Sequence, residues 1–162
     1  MSADATTGRP TALPAALPNA GEPVPGVVTA GQPTAAQLEE LARAGVAIVA
    51  DLRGAGEDRG FDEPAAVARL GLEYRSIPVD GGSIGAREFE AVRSLLRARG
   101  TRPVLVHCKS ANRVGAALIP WLVLDLHHSR DDALAIARRV GLRSDEMARA
   151  AFAHLDAHAA RD

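Results

Sequence analysis

Short apolar runs alternate along this chain with segments whose apolar residues recur at helical spacing. Residues 46–50 and 104–106 are continuous apolar runs, a pattern typical of strands that are covered on both faces. Residues 27–29 and 72–79 complete the set of predicted strands, and predicted helices separate them. This alternation predicts an α/β fold with a mainly parallel central sheet of about four strands, flanked by helices and joined by right-handed crossovers.

Capping residues mark where several of the helices begin. Thr34 and Gln37 form a capping-box pattern ahead of the first predicted helix. After Arg113 the chain reads as helical to its end, with Ser129 and Ser144 placed as N-terminal caps. The sequence therefore predicts a helical C-terminal region beyond the last strand.

The first 25 residues differ in composition from the rest of the chain. Residues 1–25 are rich in Ala, Pro and Thr and show no apolar period, which predicts a flexible tail. Their prolines interrupt every apolar stretch that a secretory signal would need, and no apolar run is long enough to span a bilayer. We expect residues 26–162 to form a single domain of a cytoplasmic protein.

The bulk charge and the cysteine count narrow the function. A net charge of −1 gives no reason to expect nucleic acid or a membrane as a partner. The single cysteine, Cys108, cannot form an internal disulfide and makes a poor zinc site, so we expect no metal and no cofactor. Cys108 is therefore either a buried core thiol or a reactive one.

The residues around Cys108 favour a reactive thiol. A buried strand delivers His107 and Cys108, a polar loop follows, and Arg113 opens a helix. Inward amides and a helix N-terminus attract an anion, and a guanidinium binds two oxygens at once. The same field stabilises a thiolate, to which His107 can contribute. The residues predicted to bind the anion are Lys109, Ser110, Ala111, Asn112 and Arg113.

These motifs resemble those of the cysteine-dependent phosphatases. Within that superfamily the chain is most similar to the bacterial beta-lactamase-hydrolase-like, tyrosine-phosphatase-like family, over residues 27–128 approximately. The likeness rests on Gly31-Gln32-Pro33, on Asp51-Leu52-Arg53, on residues 74–79, and on His107-Cys108 with Asn112-Arg113-Val114-Gly115. It implies a dual-specificity-phosphatase-like fold and the hydrolysis of phosphomonoesters, protein phosphotyrosine included.

The resemblance also implies the role of each site residue. Cys108 would attack phosphorus to give a phosphocysteine, while the loop amides and Arg113 hold the phosphoryl oxygens. Asp80 would be the general acid that protonates the leaving oxygen and later activates water, although Asp80-Gly81-Gly82 also reads as a simple turn. Asp51, at the end of a predicted strand, is expected only to cap or to pair with Arg53.

Two departures from the phosphatase pattern keep alternatives open. Four residues separate Cys108 from Arg113, where such phosphatases usually have five, and Val114 stands where they usually have Ser or Thr. Rhodanese-like sulfurtransferases show the four-residue spacing, so a persulfide on Cys108 is one alternative, although the helical sequence after Arg113 favours the phosphatase. A non-catalytic phosphate-binding module is another alternative with the same fold.

Overall fold

A five-stranded sheet forms the centre of the fold. The computed structural model describes residues 11–80 and 83–161. The strands are β1 Gly21–Val24, β2 Val27–Ala30, β3 Ile48–Asp51, β4 Glu73–Ser76 and β5 Val104–His107. They lie in the order β1-β2-β5-β3-β4, and all neighbours are parallel except β1 and β2. The predicted α/β fold is confirmed.

Six helices connect and follow the strands in the part of the chain that the structure describes. They are α1 Ala35–Arg43, α2 Glu63–Arg69, α3 Ala86–Ala98, α4 Asn112–Leu124, α5 Arg130–Val140 and α6 Asp145–Ala159. The predicted caps are confirmed: Thr34 and Gln37 form a capping box, and Ser129 and Ser144 accept N–H groups of α5 and α6. None of these six helices is both long and apolar enough to cross a membrane.

The first strand lies inside the range predicted as a flexible tail. β1 pairs antiparallel with β2, so the sheet has five strands instead of about four, and residues 21–25 belong to the folded domain. The two strands are joined by Pro25 and Gly26, and Gly26 adopts a φ of 82°. Proline followed by a left-handed glycine is a turn signal, which the Pro-rich composition of this segment obscured. Residues 1–10 lie outside the described residues.

Successive residues of the strands face two separate apolar cores. Val104 and Val106 of β5 pack in a cluster with residues of α3, α4, α5 and α6, whereas Leu105 packs with α1 and α2. This arrangement explains the unbroken apolar runs, because both faces of the sheet are buried. Asp51 and His107, the last residues of β3 and β5, lie side by side in register. Cys108 follows directly at the same edge of the sheet, where open α/β folds bind their ligands.

Candidate active site

Cys108 lies at the bottom of a loop that we call the 108–113 loop. The cysteine is 1% exposed, and its amide donates to the Ala30 carbonyl at 3.3 Å. The carbonyls of the next two loop residues point away from the centre. The Lys109 carbonyl accepts from the Gln32 amide at 3.0 Å, and the Ser110 carbonyl accepts from the Asn19 side chain at 2.9 Å.

This arrangement leaves several amides of the 108–113 loop available to a ligand. Within residues 11–80 and 83–161, the amides of residues 109, 112 and 113 have no acceptor, whereas the antiparallel bridge between Gly31 and Ser110 engages the backbone of Ser110 and Ala111. The loop runs into the N-terminus of α4, where the helix dipole adds partial positive charge. The geometry of the loop is therefore suited to binding an anion through backbone N–H groups.

Ala111 holds the loop in a conformation that alanine rarely adopts. Its φ is 68° and its ψ is 2°, in the left-handed region, which costs about 1–2 kcal/mol for a residue with a Cβ. The Ala111 side chain is fully buried against Gly141 at the end of α5, where an added Cβ would lie 3.0 Å from the Ala111 Cβ. The absence of a side chain at Gly141 lets α5 support the strained loop.

Arg113 is held by a carboxylate that the sequence did not reveal. Its two terminal nitrogens donate to Glu57, at 2.7 Å and 2.9 Å, and one of them also donates to the Val79 carbonyl at 3.0 Å. These bonds occupy three of the five guanidinium N–H groups. Among the described residues, no oxygen accepts from the Nε–H and the adjacent terminal N–H, and together these two groups form the fork that fits two phosphoryl oxygens.

The charges of Arg113 and Glu57 stabilise each other. The hydrogen bond to Glu57 raises the pKa of Arg113 above its usual value, and the nearby Cys108 sulfur adds to that rise. In turn, Arg113 holds the pKa of Glu57 well below its usual range, with help from the Gly54 amide and from Arg53. Glu57 is therefore ionised throughout the neutral range and keeps the guanidinium in a fixed orientation.

Asp80 lies next to the backbone that Arg113 binds. It follows Val79, whose carbonyl Arg113 binds, and its side chain is exposed. Its carboxylate rests against Gly54, where an added Cβ would overlap with Asp80 Oδ1. Gly54 also donates its amide to Glu57 at 2.6 Å, and Glu57 binds Arg113. The backbone of Gly54, which carries no side chain, therefore brings Asp80 close to the pair of Glu57 and Arg113.

His107 links the backbone of Cys108 to a buried carboxylate. Its Nδ1 donates to the Cys108 carbonyl at 3.2 Å, and its Nε2 lies 2.6 Å from Glu63 Oε2. Both His107 and Glu63 are fully buried. Glu63 also accepts from Gln32 at 2.6 Å, and Gln32 in turn accepts from Arg53 at 2.9 Å.

This chain of contacts continues to the other end of the loop. Arg53 donates to Glu57 at 3.1 Å, and Glu57 binds Arg113. Arg53 itself is buried, at 5% exposure, because its guanidinium bridges the two halves of the network. The network fixes the positions of Cys108 and Arg113 relative to one another.

Asp51 is buried and caps the backbone of Arg53, as expected, but it does not pair with the Arg53 side chain. It accepts from the Arg53 amide at 2.9 Å, but its ion pair is with Arg59, at 2.6 Å, and not with the Arg53 side chain. Tyr74 donates to the same carboxylate at 2.6 Å. Burial alone would raise the pKa of Asp51, but these hydrogen bonds and the nearby His107 hold it below its usual value.

A metal ion bound by Asp51, Glu63 and His107 would compete with the present hydrogen-bond partners of these side chains. Ligand atoms of Asp51, Glu63 and His107 lie within 4.8 Å of one another. Arg59 and Gln32 already bind the two carboxylates, so a cation would have to displace them. The donor set fits an internal hydrogen-bond network better than a metal centre.

The side chains of the 108–113 loop have different surroundings. Lys109 is exposed, whereas Asn112 turns away from the centre of the loop, where its Oδ1 accepts the amides of Arg143 and Ser144 at 2.7 Å and 3.2 Å. Arg143 also donates to Ser110 Oγ at 3.0 Å. The Asn112 side chain therefore attaches the turn between α5 and α6 to the 108–113 loop.

Comparison with known proteins identifies the family. Residues 24–154 match the family model described as "DSP-PTPase phosphatase fused to NAD+ Kinase". The chain belongs to this phosphatase family. A beta-lactamase hydrolase-like protein from Xylella fastidiosa is 35% identical over 116 residues, which cover 68% of this chain. These residues span about a quarter of that relative, 26% of its length. The resemblance that the sequence motifs indicated is confirmed.

Solved structures share the fold of this family member. Tk-PTP in its active form superposes with a TM-score of 0.74 at 22% identity, over 85% of this chain and 96% of that one. TpbA from P. aeruginosa, in complex with pTyr, superposes with a TM-score of 0.62 at 22% identity, over 82% and 78% of the two chains. The predicted dual-specificity-phosphatase-like architecture is confirmed.

Proposed function

We propose that this chain hydrolyses phosphate monoesters through a phosphocysteine formed on Cys108. The observation that carries the proposal is the geometry of the 108–113 loop, whose carbonyls are bonded outward while the amides of residues 109, 112 and 113 and one fork of Arg113 have no oxygen acceptor among the described residues. Neutral amides and one oriented guanidinium are the groups that stabilise a transferring phosphoryl group. Membership of a phosphatase family supports the same reading.

In the first step, the Cys108 thiolate attacks phosphorus in line with the ester oxygen. The S–P bond forms as the P–O ester bond breaks, and the loop amides with the Arg113 fork take up the charge on the three remaining oxygens. Asp80 gives its proton to the departing oxygen, so that the alcohol leaves neutral. The position of its exposed carboxylate beside Gly54, which binds the Glu57 partner of Arg113, supports this role.

In the second step, water attacks the phosphocysteine. The Asp80 carboxylate formed in the first step takes a proton from that water, the O–P bond forms, and the S–P bond breaks. Inorganic phosphate leaves and Cys108 returns as thiolate. Val114, in the first turn of α4, offers no hydroxyl to the departing sulfur, so we expect this hydrolysis to limit turnover.

Phosphotyrosine in a protein is the substrate class we propose. TpbA, which shares the fold, was crystallised with pTyr. Asp80 and the rim of the loop are exposed, so a phosphorylated side chain presented by another protein can approach them. An aryl phosphate also has a comparatively good leaving group, which suits a site that relies on one carboxylic acid for proton transfer.

The test compares wild type with Cys108→Ser and Asp80→Asn on p-nitrophenyl phosphate and phenyl phosphate from pH 5 to 8. Cys108→Ser should abolish turnover. Asp80→Asn should lower kcat about 10²–10⁴-fold on phenyl phosphate, the usual size of a general-acid effect, and less on the nitrophenyl ester, whose leaving group needs a proton less. Acid quenching during turnover should trap phosphate on the wild-type protein.

Two controls separate this function from its alternatives. Asp125→Asn changes a carboxylate that binds Arg93 away from the loop, and it should leave the ratio of the two ester rates unchanged. Thiocyanate formation from thiosulfate and cyanide that depends on Cys108 but not on Asp80, with no ester turnover, would establish a sulfurtransferase instead. Thermal stabilisation of Cys108→Ser by phosphate, with neither activity in wild type, would indicate a binding module.

A further inference from the structure

A second positive group lies beside the 108–113 loop, the guanidinium of Arg143. Arg143 is an exposed residue of the turn that joins α5 to α6. One of its terminal nitrogens donates to Ser110 Oγ at 3.0 Å. Because Ser110 lies in the middle of the loop, this contact places a fixed cation at the rim of the proposed phosphoryl site.

The turn that carries Arg143 is attached firmly to the loop. Asn112 accepts the backbone amides of Arg143 and Ser144, at 2.7 Å and 3.2 Å. At the start of the turn, Gly141 packs directly on Ala111. The Arg143 side chain therefore extends from backbone that is already ordered, so that binding a ligand requires little further ordering of the main chain.

The charge of Arg143 is not neutralised by a neighbouring carboxylate. Glu57 balances Arg113 through two hydrogen bonds, whereas neither Arg143 nor Lys109 forms a salt bridge within the described part of the chain. Asp145, the nearest carboxylate in sequence, lies in the first turn of α6, where it complements the helix dipole. The rim thus offers two cations: Arg143, which contacts Ser110, and Lys109, the exposed residue that precedes Ser110 in the loop.

We infer that Arg143, together with Lys109, binds a second anionic group of the substrate. The preferred substrate would then be a phosphate ester with a carboxylate or a second phosphate close to the ester group. In a protein substrate this group is an acidic side chain next to the phosphorylated residue; in a small molecule it lies on the same skeleton. The inference rests on the proposed function for its phosphoryl site.

The experiment measures a preference for the additional negative charge. The full chain is assayed on two pairs of esters: phosphotyrosine peptides flanked by Glu or by Gln, and 3-carboxyphenyl phosphate against phenyl phosphate. Wild type should prefer the charged member by about tenfold in kcat/KM, the size of one charge-assisted hydrogen bond. Arg143→Gln should reduce this ratio to about 2, and Arg143→Lys should retain part of it, since lysine keeps the charge but not the fork.

The matched control is Arg149→Gln, which removes an exposed arginine from α6 and should leave the ratio at its wild-type value. A charge preference only for the peptides identifies a polypeptide neighbour as the source of the anion, and one only for the small esters identifies a small molecule. A ratio near 1 in wild type for both pairs, or a ratio that Arg143→Gln leaves unchanged, would overturn the inference.

The inference and the proposed function fail separately. If no ester is turned over, the proposed function fails, and the affinities of Cys108→Ser for the two fluorescein-labelled peptides then take the place of the rates. Tighter binding of the acidic peptide by Cys108→Ser, lost when Arg143→Gln is added, would still support the second anion site. Equal affinities would overturn it.

Discussion

Replacing Glu57 by Gln tests whether this carboxylate orients Arg113 for catalysis. The glutamine keeps one acceptor but presents an amide donor to the second guanidinium nitrogen, so one of the two bonds to Arg113 is lost. Hydrogen bonds to charged groups contribute about 1.5–3 kcal/mol. Glu57 keeps 31% of its side chain exposed, which favours a value of about 2 kcal/mol and hence a loss of about 30-fold in kcat/KM.

Stability provides an independent measure of the same interaction. The folded-state pKa of Glu57 lies well below its unfolded value, which is about 4.3 for a glutamate. The unfolded chain therefore binds the extra proton, and the stabilising effect of Glu57 is fully present above about pH 5 and declines as the pH falls below about 4.3. The difference in unfolding free energy between wild type and Glu57→Gln should follow this course in urea titrations at each pH.

The matched control is Glu39→Gln on α1, where the carboxylate forms an exposed pair with Arg43. We expect this variant to lose less than about 0.5 kcal/mol and to keep wild-type activity on p-nitrophenyl phosphate. A kcat/KM for Glu57→Gln within threefold of wild type, or a stability difference that does not shrink in acid, would refute the role assigned to Glu57.

Three further variants test other contacts. Gly54→Ala places a Cβ where the Asp80 carboxylate lies, so kcat should fall at least tenfold on phenyl phosphate and less on p-nitrophenyl phosphate; equal losses would contradict the position of Asp80. Ala111→Gly should change the unfolding free energy, measured in urea, by less than about 1 kcal/mol. Glycine relieves about 1–2 kcal/mol of backbone strain, and this gain offsets the loss of the buried methyl group and the greater conformational freedom of glycine in the unfolded chain. A loss above about 2 kcal/mol would show that Ala111 is unstrained. Arg59→Met leaves the buried Asp51 without its cation and should cost about 3 kcal/mol, partly restored by adding Asp51→Asn; no restoration in thermal melts would argue against the pair.

The strands and helices could be predicted because their signals are local. Residues 46–50 and 104–106 show the apolar runs of strands buried on both faces, and Thr34 with Gln37 forms a capping box within one turn of helix. β1 escaped prediction because its partner β2 decides its structure: an edge strand rich in Pro and Gly has little preference of its own. The Pro-Gly turn between β1 and β2 is visible in the sequence, but Pro and Gly are equally common in flexible tails.

The residues of the site also divide into those with a local sequence signal and those placed by long-range contacts. Cys108 and Arg113 could be singled out because one directly follows a strand and the other lies in the first turn of the next helix, so six positions of sequence contain the whole motif. Glu57 and Glu63 were not, because they meet Arg113 and His107 across 56 and 44 residues of chain. A carboxylate in a polar loop and one at the start of a helix look like solvated groups until tertiary structure buries them. Arg143 was missed for the same reason, since its contact with Ser110 spans 33 residues.

The attachment of the 108–113 loop to distant segments has a kinetic consequence. Its carbonyls are held by Asn19 and Gln32, and the contact between Asn19 and Ser110 closes 91 residues of chain. Contacts of such separation form late, because the entropy of closing long loops must be met first. The single tryptophan, Trp121, is buried within α4, which packs on α3, α5 and α6, the helices nearest to it in sequence. During refolding from urea, its fluorescence should recover before enzymatic activity does, so that activity reports the completion of folding.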